Sequence, residues 1–347
     1  MKKNKIATKA RRHEETNFTT LQLCGKHVYI SILSILFIVS LSSCQKEELP
    51  IAKYDRGSVT TTQLSLSDDY RYQLWFDLGT NSVIKTNLKT DWDLALDCSD
   101  STHWIYLNSA RLMKAAVTEY SSLDSVHSKS GLDFKAEHPG RNIDSIAVGD
   151  WVSNSKVYVI DMGYNAAGTQ LGYKKILFAG ISGNTYSFHY SNLDGSDDHI
   201  STVVKDPDYN SIAFSFTENT PLLIEPLKNQ FDLCFTQYTY FFFDPYMPYI
   251  VTGVLLNKTG VTVARDSVKK FSDISSSDLS NYIFTDSLDA IGYSWKEYNF
   301  TTSSYEVFPQ KNYIIRDGEG FYYKLHFIDF YNNVGQKGNP KFEFQKL

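Results

Sequence analysis

Phe231-Asp232-Leu233-Cys234-Phe235-Thr236-Gln237-Tyr238-Thr239-Tyr240-Phe241-Phe242-Phe243-Asp244-Pro245-Tyr246-Met247-Pro248-Tyr249-Ile250-Val251-Thr252-Gly253-Val254-Leu255-Leu256-Asn257 decides the fold class. It reads as a strand, a Pro-bracketed aromatic turn and a return strand, because aromatic and β-branched residues fill pleated surfaces and Pro interrupts them. Phe241-Phe242-Phe243 cannot all enter one core, since strand neighbours face opposite sides. Some of this aromatic surface must therefore be presented to something, either a second packed sheet or a flat apolar ligand.

The rest of the chain has the same character. Tyr70–Phe76, Lys156–Ile160, Thr185–Tyr190 and Phe321–Phe327 alternate in the same way, and Gly- and Asn-containing turns recur at Leu78–Asn81, Ser182–Asn184, Asp317–Gly320 and Gly335–Gly338. Helical periodicity is weak and confined to Ser121–Ser128 and Val268–Leu279. These patterns predict an all-β protein of antiparallel sheets or a sandwich, with a few short helices. An echo adds a repeat. Leu88-Lys89-Thr90-Asp91-Trp92-Asp93-Leu94 and Leu227-Lys228-Asn229-Gln230-Phe231-Asp232-Leu233 each follow an aromatic strand and an Asn-containing turn, at Trp75–Asn81 and Phe214–Asn219. This predicts an internal pseudo-repeat within residues 57–347, its first unit at about 57–200 and its second at about 201–347.

Enzyme signatures are missing. The sequence contains no G-x-S-x-G, P-loop, H-E-x-x-H or paired C-x-x-C motif. The histidines after residue 43 (His103, His127, His138, His189, His199 and His326) are dispersed singly. Asp194–His199 is similar to a metal loop only in its Asp content, and a hydrolase using Asp197 and Asp198 has no supporting spacing. Cys98 and Cys234 lie in apolar strand-like runs, where they could pair or remain buried thiols.

The N-terminal region gives an address. Lys2, Lys3, Lys5, Lys9, Arg11, Arg12 and Lys26 precede an uncharged apolar run, Val28–Leu41, followed by Ser42-Ser43-Cys44. A basic region, a short apolar stretch and small residues before a cleavage point make a secretory signal. The run is shorter than the roughly 20 residues that a spanning helix needs. Residues 1–43 resemble a bacterial lipoprotein signal, which implies that Cys44 is acylated and that residues 44–56 form a lipidated tether. Gln45-Lys46-Glu47-Glu48 resembles the surface-export tag of Bacteroidota lipoproteins. The expected location is the outer membrane, exposed at the cell surface. Residues 1–43 hold seven Lys/Arg and two Glu, so the remainder carries 27 basic and 37 acidic side chains and a net charge of −10. That balance disfavours a nucleic-acid partner, whose phosphates need Lys and Arg.

Phe231–Asn257, Asp289-Ala290-Ile291-Gly292-Tyr293-Ser294-Trp295-Lys296 and the C-terminal stretch from Asn312-Tyr313-Ile314-Ile315-Arg316-Asp317 to Lys341-Phe342-Glu343-Phe344 resemble the HmuY family of haem-binding lipoproteins. Asp91-Trp92-Asp93-Leu94-Ala95-Leu96, with Asn108-Ser109, is similar to that family's first Trp-Asp-Leu element. The resemblance implies a non-enzymatic role, haem as ligand, capture from host haemoproteins and delivery to a TonB-dependent receptor. Family members hold haem iron with paired His or with Met. Here Tyr240–Tyr249 offers Met247 and no His, and no His lies between His199 and His326. Met247 is therefore the expected iron ligand, with Tyr240 and Tyr246 as porphyrin contacts; Met113, Met162 and His326 are weaker candidates. The competing expectation is an adhesion or glycan-binding β-protein that stacks Tyr238, Tyr240, Tyr246 and Trp295 on its partner.

Overall fold

The computed structural model describes residues 57–140 and 145–347. The expected signal at residues 1–43, Cys44 and the expected tether at residues 44–56 lie outside the described residues. Among those described, no helix is long and apolar enough to cross a membrane.

The strands form two sandwiches, each with its own core. In the first, Ile105–Leu107, Leu94–Asp97, Ser211–Ser215 and Thr220–Leu222 make a four-stranded sheet. It packs on a sheet ordered Lys135–Ala136, Lys114–Val117, Val157–Asp161, Tyr173–Ser182, Thr185–Asn192, His199–Val204. Leu94, Leu96, Ile160, Ile176, Phe188 and Phe214 fill the space between them. In the second, Tyr246–Leu256, Leu233–Phe243, Tyr72–Asp77 and Ser82–Leu88 form the four-stranded sheet. Its partner sheet runs in the order Thr262–Asp266, Asn312–Arg316, Tyr322–Asp329, Lys341–Lys346, Thr60–Gln63. Phe76, Phe235, Phe327 and Phe342 interlock there, mostly edge to face, with Trp295 stacked on Phe327 at 3.9 Å. Every ladder is antiparallel, and the short helical segments are 3₁₀ turns.

The two echoed segments make matching hydrogen bonds. Asp93 N donates to Phe214 O (2.9 Å), and its Oδ2 accepts from Phe216 N (2.7 Å). Asp232 N donates to Phe76 O (2.9 Å), and its Oδ2 accepts from Leu78 N (2.9 Å). One buried asparagine completes each copy. Asn108 N donates to Asp93 O, and its amide spans the carbonyls of Lys89 (2.6 Å) and Trp92 (2.8 Å). Asn257 N donates to Asp232 O, and its amide spans those of Lys228 and Phe231, both at 2.7 Å. Each motif thus ties the start of one hairpin to a strand that the other unit supplies.

These ties reveal an exchange. The strands Thr60–Gln63, Tyr72–Asp77 and Ser82–Leu88 begin the first unit but pair within the second sandwich. Their counterparts in the second unit, His199–Val204, Ser211–Ser215 and Thr220–Leu222, complete the first sandwich. Neither sandwich is built from one repeat unit alone, so the packing boundaries do not fall at residue 200.

Candidate functional site

Leu233–Phe243 and Tyr246–Leu256 pair along their full length, from Leu233↔Leu256 to Phe243↔Tyr246, around the two-residue turn Asp244-Pro245. The inner half of this hairpin is anchored in the second core by Leu233, Phe235, Val254 and Leu256. The outer half runs beyond it. At the tip Phe243 is 80% exposed, Tyr246 63%, Tyr249 56% and Met247 45%. Phe241 is buried and Phe242 is partly buried, so the three consecutive phenylalanines do face different surroundings. Several large apolar side chains clustered at one exposed tip form a patch of the kind that marks a binding surface.

The register divides the tip into two faces. Tyr240 sits opposite Tyr249 and Phe242 opposite Met247. On this side Tyr240 and Phe242 pack against Tyr293 at 4.8 and 6.3 Å, and Phe242 meets Tyr249 at 6.3 Å. Met247 therefore places a polarizable thioether at the rim of an aromatic wall. Tyr246 belongs to the other face, where its ring meets Phe241 at 5.7 Å and Phe243 at 6.4 Å. Tyr240 and Met247 are brought together; Tyr246 is not on their side.

That second face holds a residue the sequence did not single out. The His138 ring lies 5.2 Å from Phe241, and its buried Nδ1 has no hydrogen-bond partner. Burial lowers the His138 pKa against a smaller upward pull from Asp289, which favours the neutral imidazole able to ligate a metal. No spacing in the sequence links residue 138 to residue 241; the packing of the two sandwiches does.

The other candidates are occupied elsewhere. Met113 and Met162 are buried in the first core. His326 stacks on Phe271 at 4.1 Å, with its two ring nitrogens against Pro309 O and Glu343 Oε2. Tyr238 and Trp295 are each 1% exposed, so neither can stack on a sugar without unfolding its surroundings. Asp197 is held by an ion pair with Lys174 and by His199 Nε2 at 2.8 Å, and Asp198 by His189 Nε2 at 2.7 Å, all at the surface. Among the described residues no group of three His, Cys, Asp or Glu is placed to hold a metal. Cys98 and Cys234 are buried free thiols, Cys98 in the first core and Cys234 in the second sandwich.

A family model described as HmuY protein matches residues 69–344, and the chain belongs to the HmuY family. Similar solved structures include apo PinO from Porphyromonas gingivitis, at 8% identity and a TM-score of 0.30 over 84% of this chain and 99% of that one. An apo HmuY analog from Tannerella forsythia shows 10% identity and a TM-score of 0.24 over 84% and 98%. A candidate HmuY-like heme-binding protein from Bacteroides vulgatus shows 11% and 0.22 over 82% and 90%. Membership rests on the family match, since such low scores carry no argument of their own. No curated protein matches the chain.

Proposed function

We propose that this protein is a surface-anchored lipoprotein that binds haem or a related porphyrin, without catalysis, for iron acquisition. The observation that carries the reading is the hairpin tip, where Met247 borders the aromatic wall of Tyr240, Phe242, Tyr249 and Tyr293. Membership of the HmuY family supports it. The donor set fits a haem: an exposed thioether can ligate its iron, and the rings supply apolar contact for a macrocycle. Met247 and His138 lie on opposite faces of one two-stranded ribbon, so one iron meets only one of them in this arrangement. Met247 is the better placed because its side chain is exposed. Lipidation at Cys44, the Lys46-Glu47-Glu48 export tag, host haemoproteins as source and a TonB-dependent receptor as recipient complete the proposal.

The test is a haemin titration followed in the Soret band, in oxidised and reduced states. The expected result is saturable binding with a perturbed Soret band that Met247→Ala abolishes and His138→Ala retains. Loss in His138→Ala alone moves the ligand to the other face. A featureless titration of the wild-type protein at micromolar haemin refutes haem binding, and binding on a glycan array would then favour the adhesion alternative.

A further inference from the structure

A cleft of about 790 Å³ opens at the end of the second sandwich where the long hairpin begins. Three turns frame it, at residues 77–81, 228–229 and 317–319, and Phe231, Tyr323 and Phe344 supply aromatic walls. Its volume is that of a small-molecule site, which spans roughly 300–1,000 Å³. Asp232 lines the cleft at the base of the hairpin, whereas Phe243 stands at its tip. At about 3.3 Å per strand residue the two are on the order of 35 Å apart, so the cleft is independent of haem binding at the tip.

Carboxyl groups outnumber cations in the wall. Asp77, Asp232, Asp317 and Glu319 line it against Lys228 and Lys346. Both ammonium groups are engaged: Lys228 donates to Pro207 O, and Lys346 Nζ lies over the Phe321 ring at 3.1 Å. Asp77 Oδ2 accepts from Thr80 N (2.7 Å) and Thr80 Oγ1 (2.6 Å), and Asp317 Oδ1 accepts from Phe321 N (2.7 Å). The second oxygen of each, Asp77 Oδ1 and Asp317 Oδ2, accepts no hydrogen bond among the described residues. Asp317 is 3% exposed, yet its Oδ2 is not a sealed atom, so its accessible part opens on the cleft that it lines. Gly79 marks where these groups converge. An atom at its Cβ position would lie 3.5 and 3.7 Å from the two Asp77 oxygens and 3.8 Å from the Tyr323 hydroxyl. Glycine leaves that position open. Burial raises the Asp232 carboxyl pKa, and Asp77 and Asp317 add to the rise, which puts both within electrostatic reach of it.

Carboxylates with unused oxygens beside aromatic rings call for a cation. Among the described residues no group of three such side chains is placed to hold a metal ion, which leaves an organic cation. A guanidinium matches both parts of the wall, because its planar fork of N–H donors pairs with carboxylates and its face stacks on aromatic rings. An ammonium is a compact point charge without a flat face. We infer that this cleft binds a guanidinium group, with Asp77 and Asp317 as its acceptors and the aromatic walls against its plane and stem.

Calorimetric titration with Nα-acetylarginine amide tests the inference, with Nα-acetylcitrulline amide as the uncharged molecule of the same shape. The arginine compound is expected to saturate one site, with the citrulline compound at least tenfold weaker and affinity falling as salt is added. Asp77→Asn keeps a carbonyl oxygen for Thr80 and removes the charge, so it should weaken binding at least tenfold at an unchanged melting temperature. The inference is overturned if the arginine compound does not saturate, if citrulline binds equally well, or if folded Asp77→Asn binds as the wild type does. Should that variant fail to fold, the arginine-to-citrulline ratio in the wild-type protein decides the matter alone. An Ala-Arg-Ala tripeptide distinguishes the source of a supported site: tighter binding than the amide assigns it to peptide chains, and equal binding to free guanidinium compounds.

Discussion

Asp93 and Asp232 occupy the same place in the two repeat units, yet their removal should cost different amounts. Asp232→Ala deletes the acceptor for Leu78 N, and a buried amide left without a partner costs about 1–3 kcal/mol. Asp93→Ala deletes the acceptor for Phe216 N and also breaks a buried ion pair with Arg111, whose Nη2 reaches Met162 O at 3.1 Å. Stranding a buried guanidinium costs about 3–5 kcal/mol. Asp93→Ala should therefore be the more damaging change by roughly 2 kcal/mol from these contacts, and by more above about pH 7, where Asp232→Ala also removes the cost of a buried charge. Asp232 has a further signature. Burial raises its pKa to about 7, with Asp77 and Asp317 adding to the rise. Because the folded value exceeds the unfolded one, the group costs nothing below about pH 4. Its cost grows as pH climbs from there through about 7 and is flat above that. At about 1.4 kcal/mol per pH unit the full cost is on the order of 4 kcal/mol. Asp232→Asn keeps an oxygen for Leu78 N and cannot ionise, so it should match the wild type at about pH 4 and exceed it at about pH 8. Urea unfolding followed by circular dichroism at both pH values measures all three variants. Equal losses for the two alanine variants, or an Asp232→Asn effect that does not change with pH, would refute the reasoning.

Other expectations follow from single contacts. Lys296 is fully buried beside Trp295 and Phe330, donates to Thr252 O at 2.6 Å, and has its pKa lowered to about 7 by burial. Its cost to stability is present below pH 7 and fades as pH rises toward 10.5, so Lys296→Met should raise the melting temperature more at about pH 6 than at about pH 10. A Cβ at Gly253 would lie 2.4 Å from Gly292 O, so Gly253→Ala should destabilise the fold by about 1–3 kcal/mol, visible as a lowered urea midpoint. Burial raises the pKa of both Cys98 and Cys234, so neither thiol should react with a disulfide reagent at about pH 8 until the protein is unfolded.

Much of the architecture was legible because it is written in local pattern. The alternating strands, the aromatic hairpin and the echo around Asp93 and Asp232 each depend on residues close to one another in the chain. Asn108 and Asn257 escaped as a pair because the hairpins before them differ in length, which shifts their spacing from the aspartates. Tyr246 adjoins Met247 in sequence, yet the two-residue turn at Asp244-Pro245 sets Met247 opposite Phe242 and leaves Tyr246 on the other face. His138 could not be found by any such rule. It reaches the hairpin from the other sandwich, through a contact with Phe241 that is remote in sequence.

The pairing of Thr60–Gln63 with Lys341–Lys346 has a consequence in time. The earliest described strand to leave the ribosome is among the last to find its neighbour. Closing a loop of that length costs little more than closing one half as long, because the penalty grows only with the logarithm of length. It does impose an order. Leu94–Leu222 can assemble while the remainder is still being made, but Leu74 and Phe76 keep their apolar surfaces uncovered until Phe342 and Phe344 arrive. A chain that stops early leaves those surfaces uncovered, so the second core depends on the last strands to be made.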